Sequence, residues 1–181
     1  LKGETARYFA GDPTAGRFMA SEFPLMLFGL PAACLAMYLR APKIRRKAVA
    51  GIMLTAALTS IITGITEPIE FTFIFVAPIL YIFHVLAAFI SGYLTAFFDI
   101  HLGYTFSASL IDYAVGMSNM KNVGYFWLLV GPFIGLLYFL VFYWLIGLMN
   151  IKTPGRTEDL DNDDQNNSLA TSSRKAQEVL S

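Results

Sequence analysis

The stretch Gly64-Ile65-Thr66-Glu67-Pro68-Ile69-Glu70-Phe71 decides how this chain is read. It is preceded by Ile61-Ile62 and runs on into Thr72-Phe73-Ile74-Phe75-Val76, so two acids lie deep inside a hydrophobic landscape. A carboxylate inside a bilayer costs about 2.5–3.5 kcal/mol on insertion scales, so it calls for a partner, a water-filled cavity or a polar ligand. Gly64 admits dihedrals that other residues avoid, and Pro68 disfavours helical geometry at Glu67 itself. The backbone is therefore expected to break where the acid sits. Irregular backbone at membrane depth survives only where it is buried in protein or lines a cavity. Interrupted segments of this kind are also where transporters hold their substrates. The stretch reads as a solute site.

Composition agrees with a membrane setting. The 181 residues are 56% hydrophobic and 15% aromatic, and only 14% are charged, against about 25% in a soluble domain. The charges are segregated: few fall in residues 48 to 120, many in 40 to 47 and 152 to 178. A net charge of zero averages two unlike parts and says nothing about partners; no nucleic-acid partner is expected. The fold class expected is an all-α polytopic membrane protein, with transmembrane helices and re-entrant hairpins. The single Cys34 sits among small and apolar neighbours and reads as a packed residue. One cysteine excludes an internal disulfide and a multi-cysteine metal site. Neither a metal-ligand cluster nor a phosphate-cradling glycine loop is present in the sequence, so no cofactor is expected.

Outward from the break, residues 1 to 16 read as a polar loop, and with a start at Leu1 they point to a piece of something longer. Phe18 to Tyr38 is apolar, with Glu22 near its start and Gly29-Leu30-Pro31 in its middle, where a hairpin tip or a kink is expected. Arg40 to Lys47 then carries five positive charges in eight residues and marks a cytoplasmic loop. Ala48 to Thr63 is apolar and rich in small residues that suit close helix packing. Ile69 to Ile100 is too long for one span of about 20 residues, and is read as a bent helix or a helix with a partial re-entry. Residues 99 to 123 are more polar and could dip into protein without crossing. Gly124 to Met149 is a clear span with aromatics near both ends, followed by Lys152 and Arg156. Basic markers at both ends of 48 to 149 require an even number of crossings, yet three apolar blocks lie between. One block must re-enter, or another weak segment must cross; the Glu67 region is the best candidate for re-entry. Three domain parts follow: a transmembrane part over 1 to 150, an acidic linker expected to be disordered over 151 to 170, and the start of a soluble helix over 171 to 181.

Four motifs occur in order: Gly11-Asp12-Pro13-Thr14-Ala15-Gly16, Phe28-Gly29-Leu30-Pro31-Ala32-Ala33, Gly64 to Phe71, and Lys152-Thr153-Pro154-Gly155-Arg156. Together they closely resemble the membrane (EIIC) subunit of the bacterial phosphoenolpyruvate-dependent sugar phosphotransferase system, glucose superfamily, over about residues 3 to 157. Thr105-Phe106-Ser107-Ala108 and Leu110-Ile111-Asp112-Tyr113 look most like the N-acetylglucosamine branch, with the glucose branch close behind. The resemblance implies a homodimeric permease in the bacterial membrane, its C-terminus cytoplasmic, in which re-entrant hairpins and helices cradle one sugar per protomer. It implies that Glu67 contacts sugar hydroxyls, a task suited to a carboxylate that accepts hydrogen bonds in a dry site. Phosphate would arrive from a cysteine on an EIIB domain, charged in turn through EIIA and HPr; residues 171 to 181 resemble the first EIIB helix, and Cys34 does not match the EIIB motif. The family's first half, with its functional histidine motif, has no counterpart in the 181 residues.

The sugar-binding candidates are thus Glu67, Thr66, Gly64, Gly29 and Glu70, with no catalytic residue assigned. Glu70 lies three residues beyond Glu67, on a nearby helical face, and is also open to packing or pairing. His84 is read as a buried, hydrogen-bonded histidine, and His101 as a surface residue. Asp112 and Glu22 are acids of uncertain depth. An ion-coupled secondary sugar transporter is the competing class, with Glu67 carrying a proton; an intramembrane enzyme pairing Glu67 with Glu70 is a third.

Overall fold

The structure, a computed structural model, describes residues 3–156. The helix expected over 171 to 181, and the linker beyond residue 156, lie outside the described residues. Within them the chain is an all-α bundle: no strand forms, and one isolated bridge joins His101 to Lys121.

Four helical runs are long and apolar enough to cross a membrane: Met19–Arg40, Arg46–Thr63, Pro78–Phe97 and Val123–Leu148. A short helix α1 (Glu4–Phe9) precedes them. The first run ends in α2 (Leu30–Arg40), the second is α3 (Arg46–Thr63) and the third is α5 (Pro78–Phe97). Between α3 and α5 lies α4 (Glu67–Ile74). At about 1.5 Å per residue its eight residues rise about 12 Å, well short of a bilayer. After α5 come α6 (Leu110–Val115), the single turn α7 (Val123–Tyr125) and α8 (Gly131–Leu148).

Two proline effects shape the bundle. Pro31 and Pro132 have no N–H to give to the preceding turn, and in both cases that turn widens into a π segment, Leu25–Gly29 and Phe126–Val130. Gly29-Leu30-Pro31 therefore lies inside one continuous helical run from Met19 to Arg40. No hairpin tip forms there. The two glycines let α2 and α8 come together: a Cβ on Gly29 would press on the Tyr138 ring, and one on Gly131 on the Phe28 ring.

Contacts set the directions of the helices. Phe23 and Phe28 meet Phe126 and Trp127 at one end. At the other end Arg40 donates from Nε to the Tyr143 carbonyl at 2.7 Å and lies 3.8 Å over the Tyr143 ring. So α2 and α8 run parallel. The Ser60 hydroxyl donates to the Met26 carbonyl at 2.8 Å, and the Ser91 hydroxyl to the Ser21 carbonyl at 2.6 Å. These bonds place α3 and α5 antiparallel to α2, the polar small residues joining helices as expected inside a bilayer. Arg156 closes the basic end by donating from Nη1 to the Arg40 carbonyl at 2.9 Å. The core between these helices is apolar and includes Phe73, Leu80, Ile134, Tyr138 and Phe142, while Phe75, Phe89, Tyr93 and Leu140 face outwards.

Candidate functional site

The expected break is present, displaced by a few residues. Helix α3 ends in a left-handed Gly64, φ 71°, whose N–H bonds back to the Ser60 carbonyl. A side chain at this φ would be strained, and a Cβ there would collide with Ser107. Glu67 itself is already the first residue of α4, so the irregular backbone is Gly64-Ile65-Thr66. The physical reason is that Pro68 falls in the first helical turn, where a missing N–H costs nothing and the fixed φ suits the helix.

Glu67 is exposed, with Thr66 buried beside it. Its Oε2 accepts the Thr66 N–H at 3.1 Å. Among the described residues its other oxygen, Oε1, takes no bond. The carboxylate stands at a helix N-terminus, where backbone N–H groups favour a negative charge. Glu70 turns inwards: its Oε1 lies 3.9 Å from Nε2 of His84. Gly64, Thr66 and Glu67 are thus brought together, Glu70 is paired with a histidine, and Gly29 is set against the Tyr138 ring on the far side of that histidine.

The segment before α6 supports the turn. The Ser107 hydroxyl donates to the Gly64 carbonyl at 3.0 Å. Ser107 is held in turn by Asp112, whose carboxylate accepts N–H groups from Thr105 at 2.8 Å and Ser107 at 3.2 Å and the Thr105 hydroxyl at 2.6 Å. Burial alone would raise the Asp112 carboxyl; these bonds outweigh it and hold it below the usual carboxylate range. Asp112 is therefore a clamp for a loop. One signal for it was in the sequence, since Ser109-Leu110-Ile111-Asp112 has the Ser-x-x-acid form of a helix start. The Ser109 hydroxyl does accept the Asp112 N–H at 3.1 Å.

One further reading changes. His101, expected at the surface, is buried, with Nδ1 2.7 Å from the Ala15 carbonyl and Nε2 3.0 Å from Asp99. Bonds from Lys121 first, and then His101, lower the Asp99 carboxyl to about 2. Glu22 lies beside Tyr104, whose phenol is pushed up to about 12 by burial and then by that carboxylate. His84 is the hydrogen-bonded histidine expected, with Nδ1 2.7 Å from the Tyr138 hydroxyl. No group of His, Cys, Asp and Glu that could hold a metal occurs among the described residues.

Comparison with known proteins places this arrangement. The family model "Phosphotransferase system, EIIC" matches residues 2–88. The chain is 49% identical over 159 residues to the PTS system N-acetylglucosamine-specific EIICB component of Bacillus subtilis, covering 88% of this chain and 35% of that protein. It is 47% identical over 163 residues to the PTS system N-acetylglucosamine-specific EIICBA component of Escherichia coli, covering 88% and 25%. To the PTS system glucose-specific EIICBA component of Staphylococcus carnosus it is 48% identical over 147 residues, covering 80% and 22%. A membrane bundle with a broken helix at its acid is the class of protein this is. The chain is thus similar to the EIIC family of the bacterial phosphotransferase system, and the relatives it matches are named as N-acetylglucosamine- or glucose-specific components. It spans about a third or less of the length of these relatives.

Proposed function

We propose that the chain is the part of a sugar permease that binds N-acetylglucosamine or glucose at the Gly64 turn and carries it towards a phosphoryl donor. The observation that carries this reading is the exposed Glu67 carboxylate, with Oε1 unbonded among the described residues, held at the head of α4 beside a turn bonded to Ser60 and Ser107. Such a carboxylate accepts sugar hydroxyls with charge-assisted hydrogen bonds. Thr66 and Gly64 shape the contact surface. Glu70 sits behind it and Gly29 belongs to the packing that supports it.

In the same reading α3, the Gly64 turn and α4 form a re-entrant hairpin that returns to the basic side. Two contacts support it: Thr72 reaches Met37, and Phe73 packs on Phe142, both towards the ends of α2 and α8 that carry Arg40 and Lys152. Helices α5 and α8 then make the two full crossings that the basic flanks require. The basic end is cytoplasmic, which puts the chain's C-terminal side next to an EIIB domain. That domain's phosphocysteine phosphorylates the held sugar, after charging by EIIA and HPr, and the permease works as a homodimer in a bacterial membrane. The sugar hydroxyl needs only to be held in line with the donor, since phosphoryl transfer rests mainly on positioning and electrostatics.

Membrane vesicles carrying the full-length protein, supplied with phosphoenolpyruvate and the general phosphotransfer proteins, test the proposal with radiolabelled N-acetylglucosamine and glucose. Sugar phosphate should appear inside, and a Glu67→Gln variant should lose at least about tenfold in sugar affinity, about 1.4 kcal/mol. Unmodified sugar accumulating with a proton gradient would instead establish the ion-coupled carrier.

A further inference from the structure

Three ionisable side chains from three helices meet in the middle of the bundle. The Tyr138 hydroxyl on α8 lies 2.7 Å from Nδ1 of His84 on α5, and His84 Nε2 lies 3.9 Å from Oε1 of Glu70 on α4. Tyr138 is fully buried, and its ring packs on Phe83 and Phe142. Phe73 of α4 and Tyr81 of α5 flank the imidazole. Gly29 leaves room for the Tyr138 ring on the side of α2.

The order of donors follows from counting protons. A neutral imidazole has one N–H and one lone pair. If Tyr138 donates to Nδ1, the N–H sits on Nε2 and faces the Glu70 carboxylate. The reverse tautomer would turn a lone pair towards that carboxylate. A phenol can donate or accept, so it is the acceptor-only Glu70 carboxylate that favours the N–H on Nε2, and Tyr138 then donates to the Nδ1 lone pair and holds the ring in that orientation. The 3.9 Å separation exceeds a hydrogen bond of about 3.2 Å, a gap that a small rotation of Glu70 or a bridging water closes.

What this does follows from α4. Glu70 is one turn from Glu67 on a nearby face, and α4 is only eight residues long. Any rotation of α4 about its axis moves both acids together. We propose that Tyr138, acting through His84, positions Glu70 and so fixes the rotation of α4 that aims Glu67 at the sugar. This rests on the reading of Glu67 as sugar ligand. Tyr138 and His84 are positioning residues in this scheme and touch no sugar.

The test uses the full-length protein, with equilibrium binding of N-acetylglucosamine and steady-state phosphorylation. Tyr138→Phe, which removes one oxygen, should raise Kd and KM about five- to tenfold, about 1–1.4 kcal/mol, while kcat changes by less than about twofold. Tyr138→Phe added to His84→Ala should cost nothing more than His84→Ala alone, because the hydroxyl acts only through the imidazole. His84→Gln, whose amide N–H reaches towards Glu70, should recover part of the affinity that His84→Ala loses. Wild-type Kd in folded Tyr138→Phe and His84→Ala, with binding lost in Glu67→Gln, would overturn the positioning role and leave the sugar site standing. Additive losses from Tyr138→Phe and His84→Ala would also overturn it. Wild-type binding in Glu67→Gln would overturn the sugar site, and the positioning role with it.

Discussion

Asp112 illustrates how a buried acid in this protein serves structure. It gathers three N–H groups, from Thr105, Phe106 and Ser107, and the Thr105 hydroxyl, and through Ser107 it reaches the Gly64 carbonyl. Asp112→Ala leaves those donors without an acceptor, and is expected to destabilise the folded protein by about 1–3 kcal/mol. The folded-state carboxyl is depressed, so its contribution is present above the unfolded pKa and is lost as pH falls through the folded value. Thermal unfolding in detergent should therefore show a large difference between wild type and Asp112→Ala at pH 7, narrowing below about pH 4, the ordinary carboxylate value. An unchanged difference across that range would contradict the clamp. The sequence disclosed this residue only in part. Ser109 three residues earlier announces a helix start, but nothing local shows that the carboxylate turns back to residues 105 and 107. His84 is similar: its apolar neighbours predict a bonded histidine, while its partner Tyr138 lies 54 residues away.

At the scale of elements, the Gly64 turn was the most legible feature and Gly29 the least. A glycine, two acids and a proline in an apolar run signal an interruption from local chemistry alone. Locating it required knowing that Pro68 would start a helix and leave Glu67 inside it. Gly64→Ala forces a side chain into the left-handed region and against Ser107, and is expected to cost about 1–3 kcal/mol. Its folded fraction and midpoint of thermal unfolding should both drop; a midpoint equal to wild type would contradict the strained turn. Gly29-Leu30-Pro31 offered a hairpin tip or a kink on equal local grounds. The tertiary partner decides: Tyr138 covers Gly29, and the helix runs on through a π segment. Gly29→Val would wedge α2 from α8, an overpacking cost of about 1–3 kcal/mol. Unfolding measured beside Gly64→Ala should show a comparable loss, and tolerance of the valine would mean the two helices have slack there.

For the whole molecule, the basic residues carried most of the information. Arg40 to Lys47 and Lys152 to Arg156 placed both ends of the 48 to 149 stretch on one side, and Arg156 does bond to the Arg40 carbonyl. The four long apolar runs were legible from hydropathy, while the division of Ile69 to Ile100 into α4 and α5 and the pairing of α2 with α8 were not, since parallel packing involves two glycine–ring contacts distant in sequence. The claim on which the functional reading turns is that the Gly64 turn is where sugar binds. Ile65 is exposed within that turn, which makes it a reporter that leaves Glu67 intact. In the full-length protein, an Ile65→Cys variant would be exposed to a small thiol reagent with and without N-acetylglucosamine, and compared with the protein lacking that substitution. Labelling at position 65 that is slowed by N-acetylglucosamine, and not by a sugar the protein does not transport, is the predicted result. Labelling at the same rate whether or not saturating N-acetylglucosamine or glucose is present would contradict a sugar site at the turn.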